Sequence, residues 1–322
     1  MLRRNISILI LFIFLYSGIY AQGITDTFFA ENEVLLKTAS GDISGTLTVT
    51  NKSKKSPIVI IIAGSGPTDR DCNSPMGIRT NAYKMISESL AQNGISSLRF
   101  DKRGIGKSKP AMKSEKDLTF DVYVDDVMEW INNMNSDRRF TKIYILGHSE
   151  GALIGMISAN KTKISGIISV AGAGRSADKI LREQLKGKVS QQLYDESNII
   201  IDSLKAGYTV KKVNPMLFTL YRPSVQPYMI SWIKYDPAIE IKKLKIPVLL
   251  IQGSTDLQVT VDDARLLQAS KPDARLLIIE NMNHVMKESD SDRQRNMATY
   301  NNPDLPLKPG LIDEMVKFIK LK

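Results

Sequence analysis

A serine between two glycines near the middle of the chain has the spacing of a catalytic nucleophile. Residues 147–151 read GHSEG; an apolar run (142–146) precedes them and a helix-like stretch (152–159) follows. This order predicts a strand, a sharp turn and a helix, and G-x-S-x-G in that setting is a nucleophile elbow. Such a turn strains the serine backbone, exposes the hydroxyl and leaves room only for glycine at the two flanking positions. Ser149 is therefore the candidate nucleophile, provided that the chain also supplies a base, an acid and an oxyanion hole.

The base must be a side chain that can remove the serine proton, and a neutral imidazole does this near pH 7. The sequence contains two histidines. His148 adjoins the serine, and neighbouring side chains on so tight a turn point away from each other. His284 lies on the loop after the last predicted strand. A surface role is the ordinary interpretation of a loop histidine, but it would leave the serine without a base, so His284 is the candidate base.

The imidazole in turn needs a carboxylate that holds its tautomer and stabilises its charged form. Asp256 ends the turn that follows an apolar strand, and it lies between the candidate nucleophile and base in sequence. Asp262 and Asp263 fall at the start of a predicted helix and are better interpreted as charges that favour its N-terminus. Glu280 is a weaker alternative. Asp256 therefore completes the predicted catalytic triad.

The elements around these residues predict an α/β fold with a mostly parallel, doubly wound sheet. Two early strands (32–38 and 43–50) resemble an antiparallel pair, because the second alternates apolar and hydroxyl side chains. Residues 58–62 are all apolar and β-branched, which is typical of a strand covered on both faces. Helices and strands then alternate, as a parallel sheet requires. Later strands are predicted at 95–100, 142–146, 164–170, 246–251 and 275–279, with helices at 81–93, 120–134, 152–159 and 261–269.

Residues 175–240 interrupt this alternation. They contain three helix-like stretches and no β-branched run, which predicts a helical cap inserted between two strands. A cap over the strand ends would enclose the substrate, whereas an insertion that serves packing alone is the alternative interpretation. The α/β core is then predicted in two parts, 22–174 and 241–322. Near its end, residues 289–309 are polar and contain proline, which predicts a loop before a closing helix (311–320).

Two small-residue loops follow predicted strands. Residues 63–71 read AGSGPTDRD, and backbone N–H groups in such a loop can stay unpaired and point into a site, as an oxyanion hole requires. A plain Gly-Pro turn is the alternative. Residues 101–108 read DKRGIGKS, which lacks the third glycine of a dinucleotide fingerprint and does not complete a P-loop. This second segment is predicted to be a structural turn in which Asp101 and Arg103 form a local ion pair.

The first 21 residues have the pattern of a secretory signal peptide. Arg3 and Arg4 precede an apolar run at 6–16, and small residues lead to Ala21, where we expect cleavage. An uncleaved membrane anchor is the alternative, but the run is short for a membrane span. The segment predicts a periplasmic or secreted protein with no stable membrane insertion after cleavage.

The composition excludes several other classes of protein. The chain has 322 residues, 43% hydrophobic and 24% charged, with a formal net charge of +10. Its lysines are scattered and no aromatic residues interleave with them, so nucleic acid is not an expected partner. Cys72 is the single cysteine, which leaves no intrachain disulfide and no cysteine metal site. We expect this thiol to be inert, and we expect neither a metal nor an organic cofactor.

Taken together, these stretches resemble a bacterial α/β-hydrolase esterase with a helical cap, from the group that also contains serine aminopeptidase-like hydrolases. The resemblance implies the α/β-hydrolase fold, and it implies that the backbone N–H groups of Ser65 and Glu150 form the oxyanion hole. Cys72 departs from the pattern, because a glycine is expected after Thr-Asp-Arg-Asp. The resemblance is carried by segments 63–71, 101–108, 147–151, 235–238, 252–256 and 283–284.

The expected function is that of an exported serine hydrolase, a carboxylesterase that cleaves small acyl esters through an acyl-enzyme. A serine aminopeptidase would need acidic cap residues aimed at the substrate amine; Glu183, Asp195 and Glu196 are available, but the cap is rich in lysine. A thioesterase or acyltransferase would use the same triad. A catalytically inactive binding protein is the non-enzymatic alternative, and the intact triad positions argue against it. The oligomeric state does not follow from the sequence.

Overall fold

A computed structural model of the protein describes residues 28–321, so the predicted signal peptide lies outside the described residues. The strands are β1 (Phe29–Thr38), β2 (Gly41–Thr50), β3 (Ser56–Ile62), β4 (Asn73–Ser74), β5 (Ile78–Arg79), β6 (Ser96–Phe100), β7 (Phe140–His148), β8 (Gly166–Val170), β9 (Val248–Gly253) and β10 (Arg275–Ile279). The α-helices are α1 (Ala82–Gln92), α2 (Phe120–Ser136), α3 (Glu150–Lys161), α4 (Ala177–Leu185), α5 (Gln191–Lys205), α6 (Phe218–Tyr221), α7 (Gln226–Ile233), α8 (Pro237–Lys242), α9 (Val261–Ser270), α10 (Arg293–Ala298) and α11 (Leu311–Lys320).

Eight of these strands form one sheet in the order β1-β2-β6-β3-β7-β8-β9-β10. The pairs β1–β2 and β2–β6 are antiparallel. Every pair from β6 to β10 is parallel. The short strands β4 and β5 form a separate hairpin. The predicted doubly wound sheet with antiparallel strands at its N-terminal edge is therefore confirmed.

Two apolar layers cover the two faces of the sheet. In β3, Ile58, Ile60 and Ile62 pack into the layer that contains α2 and α3. Val59 and Ile61, at the alternate positions, pack into the layer that contains α1 and α11. Side chains of a strand point alternately to opposite faces, so a strand buried on both faces must be apolar at every position. This explains the uninterrupted apolar run from which the central strand was predicted.

The segment between β8 and β9 consists of helices α4–α8, with no strand in this described part of the chain. It docks on α2 through aromatic side chains: the rings of Phe120 and Trp232 stack 6.2 Å apart at an interplanar angle of 6°. Tyr228 and Tyr235 also lie against Phe120. The cap boundaries at 175 and 240 stay a prediction. Within residues 28–321, none of the helices combines the length and apolarity that crossing a bilayer requires.

The prediction of a loop over residues 289–309 is wrong in part, because this segment contains α10 and a short 3-10 helix, Thr299–Asn301. The Asp292 side chain caps α10 by accepting a hydrogen bond from the Arg295 amide at 2.9 Å. Asn296 is fully buried, and its amide donates to the Thr255 carbonyl at 2.8 Å. A polar residue thus anchors this helix, so the sequence carries no apolar period that would reveal it.

The predicted ion pair between Asp101 and Arg103 is also wrong. Asp101 accepts a hydrogen bond from Arg70 at 2.7 Å. Arg103 instead donates to the carboxylate of Asp126 on α2, with an Nε–Oδ2 distance of 3.1 Å. Both residues lie where β6 ends in the interior, so partners from neighbouring elements reach them more directly than they reach each other.

Candidate active site

The backbone of Ser149 forms a sharp turn between β7 and α3. Its φ is 53° and its ψ is −121°, a conformation that side-chain-bearing residues rarely adopt. Such strain costs on the order of 1–3 kcal/mol and persists only where the surroundings enforce it. The Ser149 amide donates to the Val170 carbonyl of the adjacent strand at 2.9 Å, which helps to hold the turn.

The glycines on either side of Ser149 are required by close backbone approach. A Cβ atom on Gly147 would lie 2.3 Å from the carbonyl oxygen of Gly151. A Cβ atom on Gly151 would lie 2.4 Å from the carbonyl oxygen of Ile62. Both obstacles are backbone atoms of packed elements, so neither can move aside cheaply. The structure thus gives the two glycines the steric role expected of a G-x-S-x-G turn.

His284 and Asp256 form a buried pair on the loops that follow β10 and β9. The Nδ1 of His284 lies 2.8 Å from Oδ2 of Asp256, and the two side chains are 6% and 1% exposed. A carboxylate only accepts hydrogen bonds, so Nδ1 donates and the Nε2 of the neutral ring keeps its lone pair. The predicted acid and base are therefore side by side. The alternative Glu280 instead accepts from Ser254 on the surface.

The carboxylate of Asp256 is held in its ionised form. Burial opposes ionisation, but His284, through its hydrogen bond and the positive charge that it carries when protonated, and the amides of Gln258 and Val259 lower the pKa of Asp256 below its usual value. Those amides donate to Oδ1 at 2.8 and 3.0 Å. With the side-chain amide of Gln252, which donates to Oδ2 at 3.1 Å, four hydrogen bonds fix this carboxylate, and the carboxylate in turn fixes the tautomer of the ring.

Ser149 and His284 line a common small cavity of about 60 Å³, together with Ser65. The loop that carries Ser65 follows β3, as predicted. The amide of Glu150 is at the first position of α3, where helix geometry provides no intrahelical acceptor. The Ser65 amide likewise donates to no protein acceptor within residues 28–321. Three of the five predicted site residues therefore share one cavity at the carboxyl edge of the sheet, while Asp256 is bonded to His284 and Glu150 follows Ser149 in the chain.

His148, the other histidine, is occupied by structural hydrogen bonds. Its Nε2 donates to the carbonyl oxygen of His284 at 2.9 Å, and its Nδ1 accepts from the hydroxyl of Tyr83 at 2.6 Å. Tyr83 in turn accepts from the Gly64 amide at 3.2 Å. Burial, with the nearby charge of His284, lowers the pKa of His148 to about 3. This ring therefore stays neutral and has no free lone pair with which to act as a base.

Sequence patterns identified neither Tyr83 nor Lys102 as a residue of the site. The Lys102 side chain is buried beside the loop that carries Ser65. Lys102 is 2% exposed and donates to the Gly64 carbonyl. Both side chains bind the backbone, and such contacts leave no spacing pattern in a sequence. For Lys102 the one available signal was its position directly after a buried strand, in a segment interpreted as a turn.

A larger pocket of about 620 Å³ opens over Ser149 and is lined mainly by apolar side chains. The sheet side contributes Leu153, while the inserted helices contribute Leu181, Met229 and Trp232. This volume lies within the usual range of small-molecule sites, roughly 300–1,000 Å³. An apolar substrate group can therefore be enclosed between the nucleophile and the inserted helices.

Cys72 is buried, and its φ of 73° explains why a glycine was expected at this position. A residue with a side chain in the left-handed region costs about 1–2 kcal/mol relative to glycine. The loop therefore keeps the backbone shape that glycine would give it. Burial raises the pKa of the thiol to about 11, in keeping with the expected inert cysteine.

The low pKa of His148 predicts a loss of stability in mild acid. An unfolded histidine binds a proton near pH 6.5, whereas folded His148 does so only near 3, so the unfolded state binds more protons between these values. The free energy of unfolding should therefore fall as pH decreases from about 6.5, by up to about 1.4 kcal/mol per pH unit from this residue. Urea denaturation of the wild type and His148→Gln at pH 7, 6 and 5 measures this.

We expect the variant, which cannot gain that proton, to lose less stability between pH 7 and 5 than the wild type. His284 is present in both proteins and is common to the comparison. Parallel losses in the two proteins would contradict a buried, neutral His148.

Comparison with known proteins places the chain in a family. The family model described as "Serine aminopeptidase, S33" matches residues 76–290. Esterase EstD of Thermotoga maritima is 29% identical over 252 residues, which cover 76% of this chain and 58% of EstD. The matched part thus spans less than two thirds of that relative.

Solved structures of low sequence identity share the fold. Est1E from Butyrivibrio proteoclasticus is 16% identical with a TM-score of 0.58, covering 90% of this chain and 99% of its own. The Pyrococcus furiosus esterase Pf2001 is 18% identical with a TM-score of 0.57, covering 92% and 94%. With the sheet order and the turn at Ser149, these matches show that the chain has the α/β-hydrolase fold and belongs to the serine aminopeptidase S33 family.

Proposed function

We propose that the protein is a serine carboxylesterase that uses Ser149 as nucleophile, His284 as base and Asp256 as the supporting acid. The observation that carries the proposal is the 2.8 Å contact between His284 and Asp256, in a cavity that the strained Ser149 also lines. A neutral imidazole with a free Nε2 beside a serine at an elbow is the arrangement that activates a hydroxyl for acyl transfer. EstD and Pf2001 are named as esterases.

The proposed reaction proceeds through an acyl-enzyme. Ser149 Oγ attacks the ester carbonyl carbon while His284 Nε2 takes the hydroxyl proton. The carbonyl oxygen becomes an oxyanion, which the amides of Ser65 and Glu150 stabilise. The intermediate collapses, and His284 passes the proton to the departing alcohol. Water then repeats the sequence on the acyl-enzyme and releases the carboxylic acid.

Pairing of the acidic side chains in the pocket favours esters over aminopeptidase substrates. Glu150 is bound by Lys102, and Glu115 is bound by Arg222, so both pocket carboxylates are already neutralised. The carboxylates considered from sequence are not among the residues that line the pocket; Glu183, for example, pairs with Arg175. A substrate α-ammonium would therefore find no unpaired carboxylate among the described pocket residues. The pairing of these carboxylates therefore weighs against aminopeptidase activity, which the family description names.

We assign the segment 175–240 the role of a cap that selects the acyl group. Support comes from its helices α4 and α7, which supply apolar pocket walls through Leu181, Met229 and Trp232. The core supplies the reacting groups, and the insertion supplies the surface that a substrate chain would touch.

Ser149→Ala should lower kcat on the order of a thousandfold or more while the protein stays folded. The reason is that alanine removes the attacking oxygen but keeps the turn. The measurement is p-nitrophenyl ester hydrolysis with circular dichroism, alongside Ser203→Ala, a half-buried serine of α5 that lines neither cavity and is expected to keep full activity. Retained activity in Ser149→Ala would refute the nucleophile assignment.

A substrate panel separates esterase from aminopeptidase activity. We expect hydrolysis of p-nitrophenyl acyl esters, and slower or no hydrolysis of alanine p-nitroanilide, because the pocket offers no unpaired carboxylate for the amine. N-acetylation of the anilide should not reduce its rate. A faster amide reaction that disappears on N-acetylation would support the aminopeptidase alternative instead.

We further propose that the protein is exported, on the basis of the residue pattern at 1–21. The expected mature N-terminus is Gln22, in protein recovered from the periplasm or medium of a bacterial host. N-terminal sequencing of that fraction is the measurement. Recovery of active protein only from the cytoplasm, with residues 1–21 intact, would overturn the proposal.

A further inference from the structure

Lys102 places a buried ammonium group directly beneath the loop that carries Ser65. Its side chain is 2% exposed, and it follows β6 in the segment that the proposed reaction leaves without a role. The ammonium donates to the carbonyl oxygen of Gly64 at 2.7 Å and to Oε2 of Glu150 at 2.8 Å. It also lies 4.7 Å from the centroid of the Tyr123 ring.

The carbonyl of Gly64 and the N–H of Ser65 belong to the same peptide group. No cis peptide occurs in the described chain, so this C=O and this N–H point in opposite directions. A lysine that fixes the carbonyl therefore fixes the direction of the N–H, which points away from the ammonium. A cation at the carbonyl end also polarises the peptide, and this strengthens the N–H as a donor.

The second acceptor of Lys102 leads to the other proposed donor. Glu150 provides the amide at the start of α3, and its carboxylate is 2% exposed. Oε2 binds Lys102, while Oε1 accepts a hydrogen bond from the hydroxyl of Tyr228 on α7. One ammonium thus contacts the peptide group that supplies the Ser65 N–H and the side chain of the residue that supplies the Glu150 N–H.

We infer that Lys102 is a positioning residue that aims the N–H groups of Ser65 and Glu150 at the developing oxyanion. This inference rests on the proposed function. Neutralising the Glu150 carboxylate is a simpler role for the lysine, but that role does not require the bond to Gly64. The two roles differ in what they predict for transition-state binding.

The test replaces both charges at once. Lys102→Met alone would leave the buried Glu150 carboxylate unpaired, which strongly destabilises proteins. The double variant Lys102→Met/Glu150→Gln removes the charge, the bond to Gly64 and the unpaired group together, while the backbone amide of residue 150 remains. We expect kcat per fluorophosphonate-titrated site to fall about 10- to 100-fold, less than the loss of a whole oxyanion donor. KM should change far less.

A trifluoromethyl ketone of matched acyl chain provides a readout that a structural role would not move. Ser149 Oγ adds to the ketone carbon, its proton passes to His284, and the carbonyl oxygen becomes an oxyanion in the hole. Its Ki should rise by the same factor as kcat/KM falls, since both report transition-state binding. A kcat and Ki within twofold of wild type would overturn the inference, even if thermal stability fell.

Two further variants make the outcome decisive. Lys102→Gln/Glu150→Gln is measured in the same way and replaces the methionine variant if that one does not fold. Its two glutamine side chains can hydrogen-bond to each other, which favours folding. Glutamine is one bond shorter than lysine, so it cannot bridge the Gly64 carbonyl and the side chain of residue 150. Arg99→Met is the matched control: Arg99 is 2% exposed, lies on β6 just before Lys102 and pairs with Glu31 and Asp71, but does not line the pocket. It should lose stability and keep kcat and Ki.

Failure of the inference is distinguishable from failure of the proposed function. If Ser149→Ala stays active, the nucleophile assignment is wrong. If Ser149→Ala is inactive while the Lys102 variants keep both kcat and Ki, the esterase mechanism stands and the positioning role of Lys102 is wrong.

Discussion

The backbone of the turn at Ser149 is the constraint on which the arrangement of the site depends. Its unusual φ and ψ are held by packing so tight that a methyl group on Gly147 or Gly151 would overlap backbone atoms. The same turn sends three consecutive side chains to three different places. His148 goes into the interior to bind the carbonyl of His284, the Ser149 side chain lines the cavity, and Glu150 turns back toward Lys102.

Buried polar contacts connect the loops that meet at this turn. One chain of hydrogen bonds runs from the Gly64 amide through Tyr83 and His148 to the carbonyl of His284. A polar group buried without a partner costs about 1–3 kcal/mol, so each member of such a chain stabilises the position of the next. The loops after β3, β7 and β10 are therefore mutually positioned, although they are far apart in sequence.

The sequence predicted the elements whose side chains follow a period, and it predicted the acid–base pair by position in the fold. The sheet was readable because strands buried on both faces are apolar throughout, as in residues 58–62. Helix α10 was not predicted, because the residue that anchors it is polar: the buried side-chain amide of Asn296. Tyr83 and Lys102 were missed for a related reason: they bind backbone atoms brought near by the fold, and no spacing in the chain encodes that proximity.

The hydrogen bond from Tyr228 to Glu150 has a consequence for how this molecule could diverge. Side chains of the inserted helices such as Leu181 and Met229 line the pocket and bind neither Asp256 nor His284, which lie on the loops after β9 and β10. Substitutions at such positions can reshape the apolar wall without disturbing that pair. Position 228 is different, because its hydroxyl reaches the first residue of α3. A replacement there would alter the wall and the turn together, so a single substitution at this position would change both substrate preference and turnover.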